Sequence, residues 1–320
     1  MRQLGIICRL LALTLFAAAH RASSQTSPAA VQSVPPSTFN VSVDEVSLTF
    51  HAANQQGLPV TDLKPSDLII YDNDKLPRKI LAFQSLQDAP IRAGILLDTS
   101  ASMEGSISHD RSVSTEYVER LLRPKTDLAF IEYFGYIPRI VQPWTGNHTA
   151  LARGIGEATV GRANPRGGTA IFDTVFSACL YQFGKTDHPA TGNFILLFTD
   201  GEDNTSHVDL KAVVDICQRT NTAIYAFHPE PSGRSSPGPR NLALLTSQTG
   251  GRLFHLDDSG VGISKDLNTI ESDLRNQYWM VYRPAALRHD GRFHQIYVGI
   301  SGPLDKVTID VRSGYYAPDH

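Results

Sequence analysis

From residue 92 to residue 275 the chain alternates short, unbroken apolar runs with stretches of helical spacing, and this rhythm restricts its fold more than any other feature. The strands predicted at 92–97 and 193–199 carry continuous apolar runs, 93–97 and 194–198. A strand apolar on both sides has both faces covered, the condition of a parallel sheet held between helix layers. After the first run, Val113, Tyr117, Val118, Leu121 and Leu122 fall at helical spacing and predict a helix over 112–122. The alternation continues with strands predicted at 128–134, 139–142, 223–227 and 252–255, and helices at 148–157, 170–183, 208–219, 241–248 and 263–275. The expected architecture over 91–276 is α/β, a doubly wound, mostly parallel sheet covered on both faces.

The flanks follow a different pattern. In 39–90, Val41, Val43, Val46, Leu48 and Phe50 alternate with polar neighbours, and runs at 68–71 and 79–83 flank the turn-forming Asp72-Asn73-Asp74. Past 276, strands are predicted at 278–283, 293–300 and 307–311, broken at Pro284, 289–291 and 301–303. Neither piece is large enough to bury a core comfortably alone. The segment 39–90 is therefore expected to pair with 277–320 into one small β-sandwich, with the α/β domain inserted between them.

At the N-terminus, Arg2 and Arg9 precede the apolar stretch 10–19, and Ala22-Ser23-Ser24 offers small residues of the kind a signal peptidase reads. Residues 1–24 are expected to be a cleaved secretory signal, because the stretch falls short of the roughly 20 apolar residues a spanning helix needs. Residues 25–38, rich in Ser, Pro, Ala and Gln, have the composition of a flexible linker. The mature chain is expected in the periplasm or outside the cell, with no membrane span. Cys8 leaves with the signal, and Cys179 and Cys217 remain. An even count in an oxidising compartment permits a disulfide without requiring it. Both cysteines fall in amphipathic helical stretches, where buried free thiols are the ordinary finding. The formal net charge of -3, with no basic cluster interleaved with aromatics, argues against nucleic acid as a partner.

The chemistry concentrates where apolar runs end. Ile95-Leu96-Leu97 leads into Asp98-Thr99-Ser100-Ala101-Ser102, Gly167-Gly168-Thr169 opens a predicted helix, and 194–199 runs into Asp200-Gly201. In a doubly wound sheet, ligands bind outside the carboxyl ends of the strands, where strand order reverses. The carboxylates of Asp98 and Asp200 and the hydroxyls of Ser100, Ser102 and Thr169 are hard oxygen donors of the kind Mg²⁺ takes. Two carboxylates balance a divalent cation, while neutral hydroxyls leave it electrophilic enough to accept an outside carboxylate. Taken alone, Asp98 also reads as a helix N-cap. Glu104, Glu202 and Asp203 lie beside the motifs, although loop acids are ordinarily just solvated. His228 ends a strand on the same side, with packing as the simpler account, and His109, His188, His207 and His289 fall in polar loops with no zinc-ligand spacing. No Gly-x-Ser-x-Gly elbow, P-loop or dinucleotide fingerprint is present, so no catalytic residues are assigned and the chain is not expected to be an enzyme. The remaining catalytic route is metal-dependent hydrolysis, with Asp98 as nucleophile or with Glu202 or Asp203 activating a bound water.

Together, Asp98-x-Ser100-x-Ser102, Thr169 and Asp200, in this order and context, resemble the von Willebrand factor type A (VWA) domain with its metal-ion-dependent adhesion site (MIDAS). The resemblance covers roughly 91–276, and all five motif positions match. The flanks at 57–72 and 311–318 are similar to those of exported bacterial proteins, notably acidobacterial ones, built on this domain. The resemblance implies that Ser100, Ser102 and Thr169 contact Mg²⁺ (or Mn²⁺ or Ca²⁺). It implies that Asp98 and Asp200 contact the ion directly or through water, and that the sixth position takes a Glu or Asp of a partner protein. It further implies that the last helix, 263–275, is able to shift when ligand binds. An adhesion-type binding module is thus expected, with a metal-dependent hydrolase or a scaffold stapled by its cation as alternatives.

Overall fold

The structure is a computed structural model of the 320-residue chain and describes residues 45–161, 167–184, 192–229, 237–256, 260–286, 289–301 and 307–318. The expected signal 1–24, the linker 25–38, the first residues of the N-terminal β segment and His188 lie outside the described residues.

The first strands are β1 (Val46–Ala53), β2 (Leu68–Asp72) and β3 (Lys79–Ser85). The alternating portion follows with β4 (Ile91–Asp98), α1 (Ile107–Leu121), β5 (Leu128–Phe134), β6 (Arg139–Thr145), α2 (His148–Gly156), α3 (Ile171–Ser177), β7 (Gly192–Phe198), α4 (Leu210–Arg219), β8 (Thr222–Pro229), α5 (Gly238–Thr249), β9 (Leu253–Leu256) and α6 (Gly260–Arg275). The chain then returns to strands, in β10 (Gln277–Arg283), β11 (Phe293–Ile300), β12 (Thr308–Val311) and β13 (Gly314–Tyr316).

Six strands form one sheet in the order β6-β5-β4-β7-β8-β9, parallel except for the β5–β6 pair. Strand order reverses between β4 and β7. Alternation along the buried strands divides the core in two. Ile95, Leu97, Phe194, Leu196 and Phe198 pack with α1, α2 and α6, whereas Leu96, Ile195 and Leu197 pack with α3, α4 and α5. Burying each such side chain contributes roughly 1.5–3 kcal/mol, which explains why these runs contain no polar interruption over most of their length.

The flanking strands make two antiparallel sheets, β12-β1-β10-β3 and β13-β11-β2. Each combines strands from before and after the α/β portion: β1 pairs with β10 and β12, and β2 pairs with β11. Their inner faces share a third core, with Leu48 and Phe50 from β1, Ile70 from β2, Met280 and Tyr282 from β10, and Ile296 and Val298 from β11. The strict two-residue burial alternation of β1 reflects one face on that core and a second, half-buried face on which the Ser47 hydroxyl donates to Asn221 Oδ1 at 2.9 Å.

Two expectations are corrected. The helix read over 170–183 stops at Ser177 and continues as a π turn, Ala178–Phe183, closed by the Gly184 N–H donating to the Cys179 carbonyl at 3.0 Å. Cys179 and Cys217, expected as buried thiols, are joined in a disulfide. Packing of α3 and the π turn against α4 brings their Cα atoms to 5.3 Å, within the range a disulfide spans.

One buried charge ties the ends of several elements. The fully buried Asp127 accepts from the Ile91 N–H at 2.9 Å, from Arg123 at 3.0 Å and from Arg275 at 2.7 Å, joining the start of β4 to the ends of α1 and α6. Burial alone would push its carboxyl up, but the Arg123 and Arg275 hydrogen bonds, with the Ile91 and Arg123 N–H groups, outweigh it and hold it at about 2. A depressed carboxylate stabilises the fold above its unfolded value and loses that contribution as pH falls through the folded value. Asp127→Asn should therefore unfold in urea with at least about 2 kcal/mol less stability near neutral pH, a deficit that narrows as pH falls below roughly 4. A pH-independent deficit would mean that packing, not charge, dominates.

Candidate functional site

The reversal point of the six-stranded sheet lies between the two strands that end in the predicted ligands. Asp98 closes β4, and Asp200 follows β7 by one residue beyond Thr199. Asp98 is fully buried, and its Oδ1 accepts from the Ser100 N–H at 2.8 Å. That bond bends the chain back on itself after the strand, so Asp98 closes a local turn instead of capping α1. Ser100 begins a short 3₁₀ turn (Ala101–Gly105) without using its side chain as a cap, and its Oγ lies 3.1 Å from that of Ser102. Three motif side chains are thus gathered by one turn.

The connection to the second strand runs through a residue that the sequence reading did not single out. The Thr199 hydroxyl donates to Asp98 Oδ2 at 2.7 Å and accepts from the Gly201 N–H at 3.2 Å. Both Asp98 oxygens are therefore oriented by neutral donors. Asp200 Oδ1 accepts from the Glu202 N–H at 3.1 Å. Gly201 has φ +80°, and a Cβ there would sit 2.8 Å from the Gly238 backbone, so only glycine lets this loop pass the start of α5.

Thr169, also buried, enters from a third loop. Its N–H donates to Asn204 Oδ1 at 2.8 Å, its carbonyl accepts from the N–H groups of Asn204 and Thr205, and the next residue, Ala170, donates to the Gly135 carbonyl beyond β5. Gly168 before it has φ +89°, with the space for a Cβ filled by Thr205. The loops after β4, after β7 and before α3 are in this way stitched around one crevice. Asn204, like Thr199, was legible only as a polar residue beside a motif.

The other candidates separate by their partners. Asp203 accepts from the Phe172 N–H at 2.8 Å and the Ser206 hydroxyl at 2.6 Å, so it anchors the start of α3. Glu104 is exposed, while Glu202 lies against Gly238 with Oε1 buried and unpartnered among the described residues. His228 ends β8 buried against His255, with ring centroids 5.7 Å apart, and burial holds its imidazole below the usual range. The buried Asp110 on α1, also unforeseen, is pushed up to about 8 by burial. Among the described residues, no three His, Cys, Asp or Glu side chains gather into a metal-binding group.

The electrostatics fit a cation at the crevice. Burial pushes the Asp98 carboxyl up to about 6, against the pull of the Ser100 and Thr199 hydrogen bonds, and the neighbouring Asp200 carboxylate pushes the same way. Among the described residues, neither carboxylate has a cationic side chain as a hydrogen-bond partner. Two neighbouring carboxylates without a counter-charge, near hydroxyl oxygens, are a donor chemistry that a divalent cation would suit.

Comparison with known proteins gives the family. The family model described as von Willebrand factor type A domain matches residues 94–269. The chain belongs to the VWA family. A search of curated proteins finds no match. Among solved structures, the VWA chain is similar to BatB of Bacteroides thetaiotaomicron at 15% identity, covering 57% of this chain and 98% of that one, with TM-score 0.47. It is also similar to a von Willebrand factor type A protein of Catenulispora acidiphila at 11% identity, covering 87% and 75%, with TM-score 0.47. Proximal thread matrix protein 1 from the mussel byssus, in a structure with a zinc-occupied MIDAS motif, matches at 15% identity, covering 63% and 49%, with TM-score 0.48. No described helix of the VWA chain is long and apolar enough to cross a membrane.

Proposed function

We propose that this chain is an exported, non-enzymatic protein-binding module that recognises its partner through a divalent cation, Mg²⁺ or alternatively Mn²⁺ or Ca²⁺, held by Asp98, Ser100, Ser102, Thr169 and Asp200. In this reading residues 1–24 are removed on export, 25–38 tether the module, and 91–276 are inserted in a sandwich formed by 39–90 and 277–320. The observation that carries the reading is the buried Asp98 carboxylate, aligned by the Ser100 N–H and the Thr199 hydroxyl beside Asp200, with no cationic partner among the described residues.

When bound, a divalent cation supplies an electrophilic position that takes a carboxylate from outside. The chain's own residues do the rest. Asp98 and Asp200 supply negative charge, Ser100, Ser102 and Thr169 supply neutral oxygens, and Thr199, Asn204 and Asp203 hold the loops that present them. Asp203, engaged with Phe172 and Ser206, is poorly disposed to serve as a general base. The partner is a protein presenting a Glu or Asp carboxylate.

Capture of a partner from a periplasmic or extracellular extract should be lost with EDTA and restored by excess Mg²⁺ or Mn²⁺. A partner retained equally well in EDTA would overturn the mechanism. Metal-dependent turnover of generic ester or phosphoester substrates would favour hydrolysis instead.

A further inference from the structure

Strand β5 carries an anomaly that the crevice does not use. By the two-residue alternation of a strand, Glu132 lies on the same face as Phe130 and Phe134, both fully buried in the core beneath α3 and α4. Glu132 is only 6% exposed, and its Oε2 is buried with no hydrogen-bond partner among the described residues. Burial alone pushes its carboxyl up to about 7. An unpaired buried carboxylate is costly, by several kcal/mol, so a fold that retains one invites a search for its counterpart.

The surroundings indicate what the counterpart is. Glu132 lines a pocket of about 310 Å³ together with Pro138 and Ile140 from the β5–β6 hairpin and Ser177, Ala178 and Tyr181 from the end of α3 and the π turn. A π turn widens the helix locally, and such turns recur at functional positions. Apolar surface is exposed at and beside the pocket: the lining residue Tyr181 is 54% exposed and Ile137, in the hairpin turn, 56%. A pocket with Pro138, Ile140, Ala178 and Tyr181 as its apolar lining, Ser177 and Gln182 as its neutral polar lining, and one buried carboxyl complements a long aliphatic stem tipped with a cation.

We propose that this pocket receives a lysine or arginine side chain of a protein partner, its stem against Ile140 and Tyr181 and its cationic head on Glu132. The pocket and the crevice are linked by two elements, α3 and β5: β5 ends at Phe134, and the next residue, Gly135, accepts from the Ala170 N–H beside Thr169. From Ile171 to Ser177, α3 rises about 9 Å, so a partner segment of a few residues reaches both places. The pocket itself needs no metal.

The test uses the whole chain in EDTA, which keeps its outcome separate from that of the metal reading. Backbone NMR shifts are followed on titration with n-butylammonium and with n-pentanol, a neutral probe of similar length. Butylammonium should give saturable shifts at Glu132, Ile140 and Tyr181, at least about tenfold tighter than pentanol, which corresponds to roughly 1.4 kcal/mol. Glu132→Gln should remove that preference, and Tyr181→Ala, an exposed change, should weaken both probes because it removes a wall for the stem. Equal binding of the two probes by the unmodified chain would overturn the proposal. So would an undiminished preference in Glu132→Gln, or no saturable shift at these residues at millimolar probe.

Discussion

Reducing the Cys179–Cys217 bond, or replacing both cysteines with alanine, is expected to lower the stability of the chain by about 4 kcal/mol, the loop-closure value for the 38-residue separation of the two cysteines. The effect is large because both sulfurs lie in the core between α3, α4 and the sheet, where reduction brings no new solvation to offset the lost constraint. In urea the midpoint should fall when reductant is present, with a somewhat steeper slope as the unfolded chain loses its constraint, and the alanine variant should show the lower midpoint with or without it. An unmodified chain whose midpoint ignores reductant would contradict the bond, and thiol titration of the unfolded, unreduced chain would then find two reactive groups. The consequence reaches the crevice through α3, which starts two residues after Thr169 and whose first turn is held by Asp203. A disulfide also presupposes an oxidising compartment, which supports the proposed export.

The parts of this fold that were readable in the sequence are those where one physical requirement acts on consecutive residues. Burial on both faces makes 128–134 apolar throughout apart from Glu132, and β5 has those bounds. It also fixes where β4 and β7 end, and hence puts Asp98 and Asp200 at adjacent strand ends. The pairing of flanks was readable because neither could bury a core alone, and β1 indeed lies between β10 and β12. Features that depend on packing between distant residues were not readable. The disulfide requires α3, its π turn and α4 to meet at a particular rotation, which two helical stretches 38 residues apart do not announce. Strand β13, only three residues long and beginning with glycine, has too little pattern to register and exists because β11 offers it an edge. Thr199 reads as one more β-branched residue at the end of a strand, and only the fold shows its hydroxyl on Asp98. Glu132 interrupts an apolar run, but its meaning depends on the pocket that the hairpin and the π turn build over it.

The second large effect concerns the crevice. Asp98→Asn should weaken Mg²⁺ or Mn²⁺ binding by at least about a hundredfold in calorimetry, since changing even a group that merely orients a ligand typically costs 10–100-fold. Asparagine suits the test better than alanine. Its carbonyl still accepts from the Ser100 N–H, and its amide can meet the Thr199 oxygen, so the turn keeps its bonds while the charge is lost. Alanine would instead strand two donors in a buried place, at about 1–3 kcal/mol each, and confuse lost binding with lost folding. Ser100→Ala removes one neutral oxygen and leaves both carboxylates, so its loss should be smaller. Thr199→Val is the informative intermediate, because it removes no proposed ligand but frees Asp98 Oδ2 to rotate. If orientation matters as the geometry argues, it should cost about 10–100-fold in affinity while circular dichroism stays unchanged. Stoichiometric binding retained in both Asp98→Asn and Ser100→Ala would remove the site. If the metal instead raises the melting temperature of the unmodified chain yet leaves partner capture indifferent to EDTA, the five oxygens serve as a staple for three loops, and recognition lies elsewhere on the surface.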